Sequence, residues 1–219
     1  MYFASRTAAG KTLAERIAKQ HAAEACAVVA LSDGGVMVGM QIALKLRAPL
    51  CLLLVEPIDL PREGAPIGGI SEDGSFAYNG LYSPSEIEEL VGEYHTYIED
   101  LKEAKLSQIH KLLGPGDLIR KDLLAGRTVI LVSDGLSSGF SLDVAAEFLK
   151  TVDIEKLIIA TPLASVPAVD RMHVLGDEIH CLTVIQDYIT TDHYYDTRND
   201  VPPHDTIVKT IEHIVQLWK

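Results

Sequence analysis

The segment Thr128–Val132 is an unbroken strand-forming run, Thr-Val-Ile-Leu-Val, that stops abruptly at Ser133, Asp134, Gly135, Leu136, Ser137, Ser138, Gly139, Phe140 and Ser141. A short, β-branched apolar run with no polar alternation suits a strand covered on both faces, which places it in a parallel sheet. The acid, the two glycines and the serines that follow read as a tight turn at its carboxyl end, leading into a helix that begins near Phe140. Such a strand–turn–helix unit presents unpaired backbone N–H groups to an anion. The hydroxyls of Ser137, Ser138 and Ser141 add donors, and Asp134 can accept from sugar hydroxyls beside the anion. The ligand these residues imply is a sugar phosphate. Gly139 is expected at a surface turn, where the absence of a Cβ lets a phosphate approach closely.

The rest of the chain repeats this alternation of strand-length apolar runs and amphipathic helical segments. The expected fold class is therefore α/β, a parallel sheet with helices on both faces. Strands are expected at residues 26–31, 50–55, 128–132, 156–160 and 178–184, and helices at 12–25, 36–46, 140–150, 166–172 and 204–218. Residues 56–121 break the rhythm with Pro57, Pro61, Pro66 and several glycines, followed by a charged helical stretch at 85–113 that Gly114-Pro115-Gly116 should end. We read one domain over residues 1–219, with 56–121 as a small hood or cap inserted in it. Ser85 and Glu88 have the spacing of a capping box. Leu90, Tyr94, Tyr97, Leu101, Ala104 and Ile109 form a stripe that should face the body or a second copy in a homodimer.

Composition narrows the function classes. With 19 basic and 31 acidic side chains, the formal charge of -12 opposes nonspecific attachment to nucleic acid or to an anionic membrane. No apolar run approaches the roughly 18 residues of a membrane span, and residues 1–10 hold no apolar stretch of signal-peptide length. Cys26, Cys51 and Cys181 are too few and too scattered for a disulfide framework or a Cys-x-x-Cys metal site. A reducing, cytoplasmic setting is expected. The eight histidines contain no His-x-x-x-His pair, so no zinc site is expected.

Two other motifs compete. Gly10-Lys11-Thr12 imitates the end of a nucleotide-triphosphate loop, but Ser5 stands where the leading glycine belongs and no buried strand precedes it. Gly135-Leu136-Ser137-Ser138-Gly139 fits the Gly-x-Ser-x-Gly elbow of hydrolases, with Asp170 or Asp187 and His193 or His204 following in the required order.

The Val132-to-Ser141 segment resembles the phosphoribosyl diphosphate loop of type I phosphoribosyltransferases, in which an apolar strand, two acids, a small-residue loop and a helix follow in order. Ser133 occupies the first acidic position here, leaving Asp134 alone. Further likeness lies in Phe3-Ala4-Ser5-Arg6 with Ala9-Gly10 and Leu13-Ala14, which is similar to a subgroup catalogued as predicted phosphoribosyltransferases. Ser32, Asp33, Gly34 and Gly35 look like the family's diphosphate-binding turn, with Asp33 at a position commonly basic or neutral. Pro66-Ile67-Gly68-Gly69-Ile70, with Asp73-Gly74 and Asn79, resembles the hood hairpin, and Asp192 to Arg198 the tyrosine-rich tail bordering the base pocket.

The resemblance implies transfer of a 5-phosphoribosyl group from its diphosphate to a nitrogenous base. Ser133 through Ser141 would hold the phosphoribosyl group, Asp134 would be the catalytic residue, and Mg²⁺ would be bound through water by Asp134. A non-catalytic nucleotide sensor or assembly protein with a degenerate site is the alternative that Ser133 and Asp33 favour.

Overall fold

The structure, a computed structural model, describes residues 3–113 and 119–217; the expected stop at Gly114-Pro115-Gly116 and the end of the last helix at Trp218 lie outside the described residues. Five parallel strands form the central sheet: β1 (Cys26–Ala30), β2 (Leu50–Leu52), β6 (Thr128–Val132), β7 (Lys156–Ser165) and β8 (Glu178–Ile185), in the order β2-β1-β6-β7-β8. The fold is α/β, and both faces of the sheet are covered. Successive residues of β1 point to opposite faces, so Cys26, Val28 and Ala30 pack with α1 (Arg6–His21), α2 (Asp33–Leu46) and α6 (His204–Leu217). Ala27, Val29 and Leu31 pack with α4 (Phe140–Leu149) and α5 (Val166–Leu175).

Several boundaries move for local reasons. Helix α1 starts at Arg6 rather than at residue 12, because Ser5 caps it by accepting from the Ala8 N–H (3.1 Å). Gly10-Lys11-Thr12 is therefore mid-helix, with Lys11 exposed, and is no phosphate loop. The apolar run at 50–55 is divided: Leu50–Leu52 enters the main sheet, and Val55 opens β3 (Val55–Ile58) of a second sheet. Strand β7 continues to Ser165, beyond its expected end at 160, because β8 stays paired with it through Ser165↔Ile185.

The second sheet is antiparallel and comprises β3, β4 (Gly68–Ser71) and β5 (Phe76–Tyr78). The long helix α3 (Pro84–Leu113) packs on it through Ile98 and Ile109, with Leu90, Val91, Leu101 and Leu106, against Ile58, Leu60, Ile67 and Ile70. Its backbone leaves helical geometry at Tyr94 (φ -113°, ψ 16°), which rotates the stripe. Tyr97 and Ala104, expected on the packed face, are exposed. The capping box is formed by Ser83 and Glu86 instead of Ser85 and Glu88. Glu86 accepts from the Ser83 N–H (2.7 Å), and Pro84 supplies a first helical residue that needs no partner for a missing N–H.

Candidate functional site

The order β2-β1-β6-β7-β8 reverses direction between β1 and β6. The connection leaving β1 runs to α2 on one face, and the connection leaving β6 runs to α4 on the other, which makes their carboxyl ends the switch point where open α/β sheets bind ligands. Both segments singled out in the sequence meet there. In the turn before α2, Ser32 accepts from the Gly35 N–H (2.9 Å) and donates to Asp134 Oδ1 (3.0 Å). Gly34 must be glycine for contact reasons, since a Cβ would lie 2.1 Å from Asp134 Oδ2.

After β6, Ser133 folds the chain back on itself: its hydroxyl donates to the Gly135 carbonyl (2.9 Å) and accepts from the Gly135 N–H (3.2 Å). The Leu136 N–H donates to the Leu163 carbonyl (3.1 Å), which ties this segment to the extended end of β7. Beyond it the pairing stops. Among the described residues, nothing accepts from the backbone N–H groups of Ser137, Ser138, Gly139, Phe140 or Ser141. The Ser138 hydroxyl is buried with no hydrogen-bond partner among the described residues. Five consecutive donors without an acceptor among the described residues, plus an orphaned hydroxyl at a helix N-terminus, have the donor set that an anion needs, and we refer to them as the cradle. Ser165 braces it from below, donating its hydroxyl to the Ser137 carbonyl (2.5 Å) and capping α5.

Gly139 differs from expectation. It is buried, with φ +82°, and a Cβ would come within 3.0 Å of Arg171 Cβ. Its role is to make the left-handed bend, and a branched residue there is strained whether or not a ligand is present. The hood sheet meets the cradle at Phe140, whose ring lies against Gly69, and at Asp143. The buried Asp143 carboxylate accepts from the Gly80 N–H (3.2 Å) and pairs with Arg171.

Asp134 is not free. Its Oδ2 accepts from Arg6 Nε at 2.7 Å, while Ser32 occupies Oδ1. Arg6 is 3% exposed. It also pairs with Asp200 (2.7 Å) and with Asp192, and it stacks on the Tyr195 ring (4.6 Å to the centroid). Burial alone would lower the Arg6 pKa; hydrogen bonds to Asp192, Asp134 and Asp200 outweigh it and hold the guanidinium above its ordinary value. Tyr195 donates to the Asp134 carbonyl (2.6 Å), and burial followed by the Asp134 charge pushes its phenol above the ordinary range. Tyr188 lies nearby, raised to about 12 chiefly by burial. The tyrosine-rich tail thus anchors a long loop: Tyr194 and Tyr195 are buried, and the Phe3 N–H donates to the Tyr194 carbonyl (2.9 Å). The sequence singled out Arg6 only as part of an N-terminal motif. Its three partners at 134, 192 and 200 are brought together by the fold alone.

The Asp33 carboxylate pairs with His204 Nδ1 (2.9 Å) at the start of α6, so its charge has a partner other than an ion. Three carboxylates converge on Arg6 here, but among the described residues no three His, Cys, Asp or Glu side chains at this end of the sheet bring a ligand atom each within 4.8 Å of the others. Since the carboxylate oxygens of Asp134 are engaged by Arg6 and Ser32, these donors do not fit a protein-held magnesium ion. The hydrolase alternative also lacks its geometry: among the described residues, no hydrogen bond joins the Ser137 hydroxyl to a histidine.

Comparison with known proteins agrees with this architecture. Residues 96–196 match the family model of the phosphoribosyl transferase domain. A protein of Mycobacterium tuberculosis strain H37Rv, whose name assigns it provisionally to the phosphoribosyl transferases, is 28% identical over 185 residues, covering 82% of this chain. The chain spans about 40% of the length of that curated relative. The crystal structure of TT1426 from Thermus thermophilus superposes with a TM-score of 0.72 at 27% identity, covering 100% of this chain and 99% of the other. No helix among the described residues is long and apolar enough to cross a membrane.

Proposed function

We propose that this chain, which is similar to the phosphoribosyl transferase domain over residues 96–196, binds the 5-phosphate of a phosphoribosyl group in the Ser137-to-Ser141 cradle and transfers this group to a nitrogenous base above β1 and β6. The observation that carries the reading is the run of five unpaired N–H groups around the orphaned Ser138 hydroxyl. A dianionic phosphate supplies the acceptors that this run lacks. Ser32, Asp33, Gly34 and Gly35 form the turn after β1, where the N–H groups of Asp33 and Gly34 have no acceptor among the described residues, and we assign them to the diphosphate. In the reaction, the bond from the anomeric carbon of ribose to the diphosphate oxygen breaks and a bond from that carbon to the base nitrogen forms. The proton on that nitrogen passes to solvent, since Ser137 in the loop is no general base. In this reading Asp134, whose two oxygens already accept from Arg6 and Ser32, offers a ribose hydroxyl only its remaining lone pairs, and the hood borders the cradle through Phe140 and Asp143. The three free cysteines suit a cytoplasmic setting.

A second reading, binding without transfer, is favoured by the engagement of both Asp134 oxygens and by Ser133 in place of an acid. One experiment separates them. Calorimetry with ribose 5-phosphate, ribose and inorganic phosphate tests the cradle, and diphosphate release from phosphoribosyl diphosphate with magnesium and a panel of bases tests transfer. Saturable binding of ribose 5-phosphate with diphosphate release supports transfer. Binding without release with any base assigns the site to ligand sensing, and absence of phosphate-dependent binding overturns both readings.

A further inference from the structure

At the amino end of the main sheet, opposite the cradle, α1 and β8 bring together three metal-ligating side chains that the sequence keeps far apart. His21 is the last residue of α1, and Glu178 and His180 are the first and third residues of β8. Residues two apart on a strand share a face, here the one continued by Leu182, which packs into the core cluster shared with α1. Both imidazoles turn Nε2 to a single oxygen, Glu178 Oε1, at 3.0 Å from His21 and 2.8 Å from His180. One ligand atom from each residue lies within 4.8 Å of the others. The two histidines are 3% and 4% exposed, so the convergence is built into the core and not a chance meeting of surface groups.

His21 Nδ1 lies 2.9 Å from Glu24 Oε1 without making a hydrogen bond to it, and Glu24 is itself fixed by the Thr128 hydroxyl (3.1 Å). The Glu24 carboxylate therefore adds negative charge beside the His21 ring. Lys156 holds the second oxygen of Glu178 (2.6 Å), leaving Oε1 as the single ligating atom. Glu24, Glu155 and Asp177 border a neighbouring recess beside Lys156, whereas the recess that Glu178 and His180 themselves line also carries Arg16 and Lys19, so the site relies on its three ligands rather than on a negative surround. Nδ1 of the buried His180 has no hydrogen-bond partner among the described residues.

We propose that His21, Glu178 and His180 bind one divalent transition-metal ion, zinc foremost, and that the ion fastens the end of α1 to the start of β8. Two imidazoles and a carboxylate are a ligand set that zinc accepts, with the fourth tetrahedral position left to water. No His-x-x-x-His pair announces the site in the sequence, because its ligands come from two elements joined only by the fold. It lies at the opposite edge of the sheet from the cradle and stands whether or not the phosphoribosyl reading does.

The test uses full-length protein freed of metal with a chelator and titrated with Zn²⁺ by calorimetry, and with Co²⁺ by visible absorption. The expected result is one tight equivalent per chain, a higher Tm, and the absorption of tetrahedral Co²⁺. His180→Gln and Glu178→Gln, shown to be folded by circular dichroism, should bind about a hundredfold more weakly or not at all, while a change at the exposed His213 of α6, His213→Gln, retains the site. If either ligand variant fails to fold, anomalous diffraction at the zinc edge from wild-type crystals replaces it and should place the ion among these three side chains. Absence of a tight equivalent in the wild type, its survival in a folded ligand variant, or an ion located elsewhere overturns the proposal.

Discussion

Replacing Arg6 with Gln isolates the contact that ties the candidate site to the N-terminus. The substitution removes a 3%-exposed guanidinium and leaves three carboxylates behind. Asp192 is 60% exposed at its side chain and returns to water at little cost. Asp134 and Asp200 are 12% and 11% exposed. After the change, Asp134 keeps the Ser32 hydroxyl and Asp200 keeps the backbone N–H at position 6, so each loses its charged partner but not every hydrogen bond. Two charge-assisted hydrogen bonds at about 1.5–3 kcal/mol each suggest a loss of about 3–6 kcal/mol, and breaking a buried pair from one side costs about 3–5 kcal/mol. The two routes agree on about 4 kcal/mol, a large part of the roughly 5–15 kcal/mol that stabilises a typical domain.

Urea unfolding followed by circular dichroism measures this directly. Asp134→Asn alone should also destabilise, but the double variant Arg6→Gln with Asp134→Asn should be less destabilised than the sum of the single changes, because it leaves no uncompensated charge at position 134. A shift under about 1 kcal/mol for Arg6→Gln, well below the one-sided cost of breaking a buried pair, or strict additivity in the cycle, would refute the view that Arg6 neutralises a buried Asp134.

Ser138→Ala removes a buried hydroxyl that lacks a protein partner, so stability should hold or rise by up to about 1 kcal/mol while ribose 5-phosphate affinity falls; a clear loss of stability would mean that the hydroxyl has a structural partner. Gly139→Val should destabilise by about 1–3 kcal/mol through its positive φ, even without ligand, and an unchanged urea midpoint would contradict the bend assigned to it. Burial pushes the thiols of Cys26 and Cys51 up to about 11, so at neutral pH both should resist an aromatic disulfide reagent until the chain unfolds, and rapid native-state labelling of either would count against the packing described. Because the unfolded thiols ionise first, near their ordinary 9.0, these two groups contribute stability below that pH which is lost as pH rises toward 11.

What the sequence discloses and what it conceals divide along a physical line. Strands covered on both faces must be apolar throughout, so Cys26–Ala30 and Thr128–Val132 stand out as uninterrupted runs, and the chain must bend at Ser133 to Ser141 because small residues replace them. A cap is also local chemistry, yet Ser83 and Ser85 both offer a hydroxyl three residues before a glutamate, and only the position of Pro84 at the first helical residue decides between them. Ion pairs carry no such local mark. Arg6 in its own segment is an ordinary helix-start residue, and nothing near it announces Asp134, Asp192 or Asp200. His21 likewise gives no sign of Glu178 and His180. Both clusters exist because α1 runs along the sheet from the switch point at its carboxyl edge to its amino edge, so that one helix delivers Arg6 to the first and His21 to the second. Its 16 residues at about 1.5 Å each span roughly 24 Å, enough to join the two edges.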